Sequence, residues 1–263
     1  MQKISVLIPV FNEAERLEII FQALTQAWPK RFKLQEVLFV DDGSTDQTAR
    51  LIKKQIPLLR SKLHAPVKLL SYQINRGKGY AVKVGMQVAT GDLLLLTDVD
   101  MSTPFSELQK FFARKVVSSQ VVVGTRKNGR STVLLAQPLH RQVLGKGFTY
   151  LTQLLLGIKI SDFTCGFKLF ERKAYQTIAP MMKINRWGYD AEILYLAKKY
   201  QFTMTEVPVS WSNDERSKVN LLRDVVKSLF DLLAIRLYDW RGSYTLASDR
   251  DTLKTRLFSW LKV

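Results

Sequence analysis

The chain has a single cysteine, Cys165. One thiol cannot close an internal disulfide, and metal sites built on two or four cysteines are excluded. Cys165 lies between Thr164 and Gly166, with no helix start or basic pair beside it. A buried structural thiol is therefore expected rather than a reactive one. So little cysteine fits a reducing, cytosolic setting. Long apolar runs are missing too. No stretch of about 18 uninterrupted apolar residues occurs, so no membrane-spanning helix is expected. Met1 leads straight into the strand-like run Ile4–Val10, and no signal peptide is expected there. Acids are absent over a long interval. Between Glu107 and Asp162 there is none, while nine Lys or Arg fall in the same stretch.

What is present is enough for a large core: 263 residues, 46% of them hydrophobic. That fits one large domain, or one domain with an appendage. The net charge of +17 is unevenly spread. Residues 1–108 carry 14 basic and 11 acidic side chains, whereas residues 109–263 carry 26 and 12. The second half suits an anionic partner: nucleic acid, an anionic membrane surface or a phosphorylated acceptor. No zinc-finger or RNA-recognition signature appears, so nucleic acid is not the expected partner.

The first half alternates strand and helix. Ile4–Val10, Glu36–Val40, Val67–Tyr72, Leu93–Thr97 and Val121–Gly124 read as strands. Glu13–Ala27, Thr48–Ile56 and Gly79–Thr90 read as helices, the second with Ser44 or Thr45 as its N-cap. The unbroken leucines of Leu93–Thr97 predict a strand buried on both faces. This repetition predicts an α/β fold with a parallel, doubly wound sheet flanked by helices. Such sheets bind ligands at the carboxyl ends of their strands. The polar groups collect there: Asn12 and Glu13, then Asp41 and Asp42, then Asp98 and Asp100. In the second half, Leu134–Gly157 reads as a helix. Lys218–Trp240 reads as an amphipathic helix with Leu222, Val225, Val226, Leu229, Phe230, Leu233 and Leu237 on one face. A catalytic domain is expected over 1–213, and a C-terminal amphipathic helical segment over 214–263. That segment, with the tail Leu257–Lys262, would either lie in a membrane interface or pack on the domain.

Asp98 and Asp100, two apart at a strand end, can reach one divalent cation. Mg²⁺ or Mn²⁺ prefers carboxylate oxygens and fills its other positions with water and phosphate. The metal would neutralise a diphosphate leaving group. The bland alternative is a solvated acidic turn. Asp41-Asp42-Gly43-Ser44-Thr45-Asp46 is either an ordinary turn with a helix cap or a set of acceptors for a base and ribose. Asn75-Arg76-Gly77-Lys78-Gly79 places glycines and two cations, Arg76 and Lys78, at a helix start, which suits a phosphate.

Together with Ser5–Glu13 and Asp98-Val99-Asp100-Met101-Ser102-Thr103-Pro104, these segments resemble the family-2 inverting glycosyltransferases of the GT-A fold. Three later segments narrow the resemblance: Asp162–Phe170, Trp187-Gly188-Tyr189-Asp190-Ala191-Glu192 and Val207-Pro208-Val209-Ser210-Trp211. They are similar to the polyprenyl-phosphate sugar transferases, most closely the dolichyl-phosphate β-glucosyltransferase branch. The resemblance implies a mixed sheet and a role for each matching position. Pro9, Phe11, Glu13, Asp41 and Asp42 would line the nucleotide pocket, with Arg76, Lys78 and Asp98 on the donor side. Asp98, Asp100 and Ser102 would hold the metal. Arg126, Arg141, Lys168 and Lys218 would bind the acceptor phosphate. Asp100, Asp162 and Asp190 would be the catalytic carboxylates, and Glu192 also matches a motif position. Near Lys218 the family's Gly-Ser-Lys reads Arg216-Ser217-Lys218. The Gln-x-x-Arg-Trp motif of processive synthases is absent.

The expected reaction moves glucose, with inversion, from UDP-glucose to a polyprenyl phosphate. The enzyme would be peripheral on the cytoplasmic face of an anionic membrane. A related transferase using GDP-mannose or a non-lipid acceptor is the alternative, and a homo-oligomer stays open.

Overall fold

The computed structural model describes residues 1–26, 32–113, 116, 118–127, 131–135, 139–213 and 221–245. At 139–142 and 221–226 it describes the backbone alone. The chain runs β1 (Gln2–Val10), α1 (Leu17–Leu24), β2 (Phe32–Asp41), α2 (Thr48–Leu63), β3 (Val67–Ser71), α3 (Lys78–Val88) and β4 (Leu93–Leu96). A 3₁₀ segment (Phe105–Phe112) leads to β5 (Val121–Thr125), β6 (Val133–Leu135) and α4 (Leu139–Leu156). Then follow β7 (Lys168–Glu171), α5 (Arg172–Met181), α6 (Tyr189–Lys199), β8 (Met204–Pro208), β9 (Trp211–Ser212) and α7 (Leu221–Trp240).

Seven strands form one sheet in the order β3-β2-β1-β4-β7-β5-β8. All neighbours are parallel except β7, which runs antiparallel to both β4 and β5. Strand residues alternate between two cores. Leu7, Leu38, Leu94 and Leu96 face one helical layer, with α3, α5 and α6. Val6, Val37, Leu93 and Leu95 face the other, with α1, α2 and the 3₁₀ segment. The four leucines of β4 are thus buried on both faces, as their unbroken run predicts. Each contributes about 1.5–3 kcal/mol as an upper estimate.

Two expectations are corrected. Thr48 opens α2 with Gln47 at the cap position. Ser44 and Thr45 cap nothing, because their hydroxyls accept hydrogen bonds from the Asn12 amide and side chain. Asp46 accepts from Thr48 N instead. Leu134 and Leu135 are not helical. They lie in β6, paired with β9 as a separate two-stranded ribbon, and the helix starts at Leu139. Of the apolar face expected on α7, Phe230, Leu233 and Leu237 are exposed together and Leu229 is half-buried, while the side chains of Leu222, Val225 and Val226 lie outside the described residues. Leu232 and Ile235 are fully buried in the core beside α6, whereas Phe230, Leu233, Leu237 and Trp240 are exposed. The 214–263 segment therefore contributes to the main core through α7 and the buried Tyr244. The tail 257–262 lies outside the described residues, and no helix among the described residues is long and apolar enough to cross a membrane.

Candidate active site

The parallel strands β1, β2 and β4 end together, and the loops leaving them carry the acids. Asp41, the last residue of β2, is buried. It accepts hydrogen bonds from Ser71 Oγ at 2.8 Å and from Ser44 N at 3.1 Å. Asp42 collects four donors: Tyr72 Oη, Asn75 Nδ2, Arg76 N and Gly77 N, all within 2.9 Å. It braces the loop into α3, where Gly77 takes φ +107° with the Asn185 carbonyl close by. A side chain at Gly77 would be strained there. Glu13 forms a bidentate pair with Arg16. Pro9 is buried near the end of β1, and Phe11 is partly exposed beyond it. Arg76 is exposed, its guanidinium 4.7 Å from the Tyr80 ring.

The braced loop delivers Lys78 to Asp98. Lys78 Nζ lies 2.6 Å from Asp98 Oδ1 and 5.9 Å from the Trp187 ring centre. Asp100 Oδ1 accepts from Ser102 N at 2.9 Å. Burial pushes Asp98 towards its neutral form, but the charges of Lys78, Lys168 and Arg126 together hold its carboxyl below the usual range. Asp100 goes the other way, raised first by burial and then by the negative charge of Asp98. Two carboxylates forced together with little solvent form a donor set that favours a cation between them. No third His, Cys, Asp or Glu joins them among the described residues. A metal here would complete its shell from water and phosphate oxygens, the habit of Mg²⁺ and Mn²⁺. Gly166 packs against the Asp98 carboxylate, in space that any Cβ would occupy.

The basic half approaches from β5. Arg126 donates to both oxygens of Asp162, at 2.7 Å each, and also to Thr164 Oγ1 at 2.9 Å. Trp211 lies beneath its guanidinium, 5.1 Å from Cζ to the ring centre. Burial opposes ionisation of Asp162, yet Arg126 and then Lys127 outweigh it and set the carboxyl at about 2. Lys168 departs from its expected place at an acceptor phosphate. Its side chain is fully buried, and Nζ donates to the Cys165 carbonyl and to Asp190 Oδ1. It holds Asp190 in position and has no open face for a ligand. Asp190 itself is raised by burial, against the pull of Lys168 and Lys78. Glu192 is structural in its contacts: it accepts from Lys183 N, Ile184 N and Tyr244 Oη. Cys165 is buried, as its surroundings in the sequence predict, and burial pushes its thiol up to about 11. The side chain of Arg141 and all of Lys218 lie outside the described residues.

Asp98, Asp100, Lys78, Lys168, Asp190 and Arg126 thus interact as one cluster. Sequence reasoning did not single out Trp187, Tyr189, Gly166 or Trp211 as members. Each stood inside a quoted motif, but nothing local marks a tryptophan as the neighbour of a lysine over a hundred residues earlier.

Residues 5–179, about two-thirds of the chain, match the model of the family described as Glycosyl transferase family 2. The chain belongs to that family. Its relatives include the dolichyl-phosphate beta-glucosyltransferase of Dictyostelium discoideum, 32% identical over 255 residues, spanning 93% of this chain and 77% of the relative. The Homo sapiens protein of the same name is 30% identical over 262 residues, spanning 95% and 79%. Among solved structures, this family-2 chain resembles glucosyl-3-phosphoglycerate synthase from Mycobacterium tuberculosis in complex with Mn²⁺, UDP-glucose and phosphoglyceric acid. The TM-score is 0.63 at 16% identity, covering 89% of this chain and 79% of the other. That likeness shows the fold, the mixed GT-A sheet of the family, and the protein is a glycosyltransferase.

Proposed function

We propose that the chain transfers a glucosyl unit, with inversion, from UDP-glucose to a polyprenyl phosphate at the cytoplasmic face of a membrane. One observation carries the reading: the Asp98 carboxylate lies in the shared field of Lys78, Lys168 and Arg126, where the acidic donor half meets the basic half. A reaction between two anions needs that arrangement. The names of the relatives supply the sugar and the acceptor class.

On this reading the buried floor of β1 and β2, with Pro9, Phe11, Glu13, Asp41 and Asp42, forms the nucleotide side, and Arg76 and Lys78 face the diphosphate. Asp98 and Asp100 would hold a divalent cation, with Ser102 beside them. When bound, that cation supplies charge neutralisation for the leaving diphosphate. Arg126, oriented by Asp162 and Trp211, presents its remaining N–H groups to the acceptor phosphate, with Arg141 and Lys218 as further cations. A phosphate is already ionised at neutral pH, so the acceptor needs little help from a general base. Asp190 is then free for positioning.

The acceptor's lipid tail stays in the bilayer, so the protein must come to it. Phe230, Leu233, Leu237 and Trp240 form an exposed apolar stripe on α7, and Val143, Tyr150 and Leu154 of the adjoining α4 are exposed as well. Lys227, Arg236 and Arg241 on and just beyond α7 add positive charge, which suits anionic headgroups.

Labelled UDP-glucose and GDP-mannose, each offered with polyprenyl phosphate and Mn²⁺, test the reading. Glucosyl lipid is expected, and its formation should stop on chelation and in Asp100→Ala. Mannosyl lipid alone, or undiminished glucosyl transfer in chelator, would overturn it. Arg126→Ala should raise the acceptor KM more than the donor KM. Flotation with anionic liposomes should carry the protein upward at low salt.

A further inference from the structure

Among the described residues, one buried side-chain polar atom has no hydrogen-bond partner: the hydroxyl of Tyr189. The residue is fully buried at the start of α6, its Cβ against Gly79 at the start of α3. A buried hydroxyl left unsatisfied costs about 1–3 kcal/mol, and native proteins keep few of them. The charges acting on it are those of the active-site cluster, Asp190 first and then Lys78 and Asp98; Asp190 is near enough to draw on the phenol, but not in hydrogen-bonding geometry with it. The packing therefore leaves a donor unsatisfied beside the place where substrate must react.

The chemistry of its neighbours says what it could meet. Asp190 is an acceptor already fixed by Lys168 through one oxygen. An anionic phosphate oxygen beside Asp190 would be repelled. A sugar hydroxyl would not, because it can donate to the Asp190 carboxylate and accept from the Tyr189 phenol at once. Lys78, the cation whose charge acts on the phenol, is tied to Asp98 at 2.6 Å. An arriving diphosphate competes for that ammonium.

We infer that Tyr189, paired with Asp190, reads a hydroxyl of the transferred sugar and so helps set donor-sugar specificity. The inference rests on the donor reading above and deepens it. A site built to hydrogen-bond a substrate hydroxyl discriminates strongly against ligands that lack it.

Calorimetric titration of UDP-glucose and of UDP, in Mn²⁺, into wild type and Tyr189→Phe tests this without turnover. Removing an orphan hydroxyl should leave the melting temperature unchanged or raised. UDP should bind both proteins equally. UDP-glucose should bind the variant about tenfold more weakly, the scale of one lost hydrogen bond. Its kcat/KM should fall by a similar factor. Equal UDP-glucose affinity in the two proteins would overturn the inference and leave the donor reading intact. So would equal losses for UDP and UDP-glucose with a lowered melting temperature, which mark a structural role. Failure of wild type to bind either nucleotide would remove the donor reading, and the inference with it.

Discussion

An alanine at position 166 would put a methyl group into the volume that the Asp98 carboxylate fills. Gly166 does not have a left-handed φ, so the backbone itself accepts alanine. The unfolded chain loses freedom, which stabilises by about 0.4–1 kcal/mol. Overpacking costs about 1–3 kcal/mol. The net change of up to about 2.5 kcal/mol leaves a folded protein in the usual stability range of about 5–15 kcal/mol. The chemistry has no such margin. Asp98 must swing away, leaving Lys78 and the place where it faces Asp100, and a displacement of about 1 Å at a reacting centre costs about a hundredfold. Hexosyl transfer at saturating donor and Mn²⁺, with thermal unfolding of the same sample, separates the two effects. Gly147→Ala is the control. Nothing lies within 4 Å of its added Cβ on α4, so it should stabilise by about 0.5–1 kcal/mol and leave turnover alone. A folded Gly166→Ala enzyme with turnover within about threefold of wild type would refute the placement of Asp98.

Asp162 titrates at about 2 in the folded chain, below its ordinary value of 3.8. Its contribution of about 2 kcal/mol is complete above pH 5 and is lost as pH falls towards 2. Urea unfolding should show wild type losing about that much more than Asp162→Asn between those pH values, and parallel losses would contradict it. Lys168→Met strands the buried Asp190 and should cost about 3–5 kcal/mol. Lys168→Met combined with Asp190→Asn should cost clearly less than the two singles added, and simple additivity in the denaturation cycle would deny the coupling. Cys165, pushed up to about 11 and buried, should resist iodoacetamide at pH 8 until the chain is unfolded; prompt labelling of the native protein would count against its burial.

The donor half was legible because its signals are local. Leu93–Leu96 reads as a doubly buried strand from composition alone, and Asp98 follows it by two residues. What joins distant segments was not legible. Lys78 and Asp98 are twenty residues apart, and Arg126 and Asp162 thirty-six, and no periodicity links them. Strand β7 is only four residues long and reverses direction, which strand–helix alternation does not anticipate. Lys168 reads as a phosphate-binding cation until its position opposite Leu96 and Val123 in the middle of the sheet is seen. On α7 the spacing picked out the outward surface of Phe230, Leu233 and Leu237 and passed over a second one, Leu232 and Ile235, that the core covers. Helical spacing alone does not say which of two apolar surfaces the domain covers.

The reversed strand bears on how such an enzyme could change its substrate. A parallel strand delivers only its outgoing loop to the ligand edge of the sheet. β7 enters at that edge, so the segment before it, 157–167, hangs over the site from the side of β5 and ends on Lys168. The chain between β5 and Asp162 can therefore lengthen, shorten or vary without reaching Gly166 and the Asp98 carboxylate it packs on. On the proposed roles, choice of acceptor and choice of donor would reside in separate stretches of sequence. Grafting residues 126–161 from a relative with another acceptor should carry that preference across while donor affinity stays as it was.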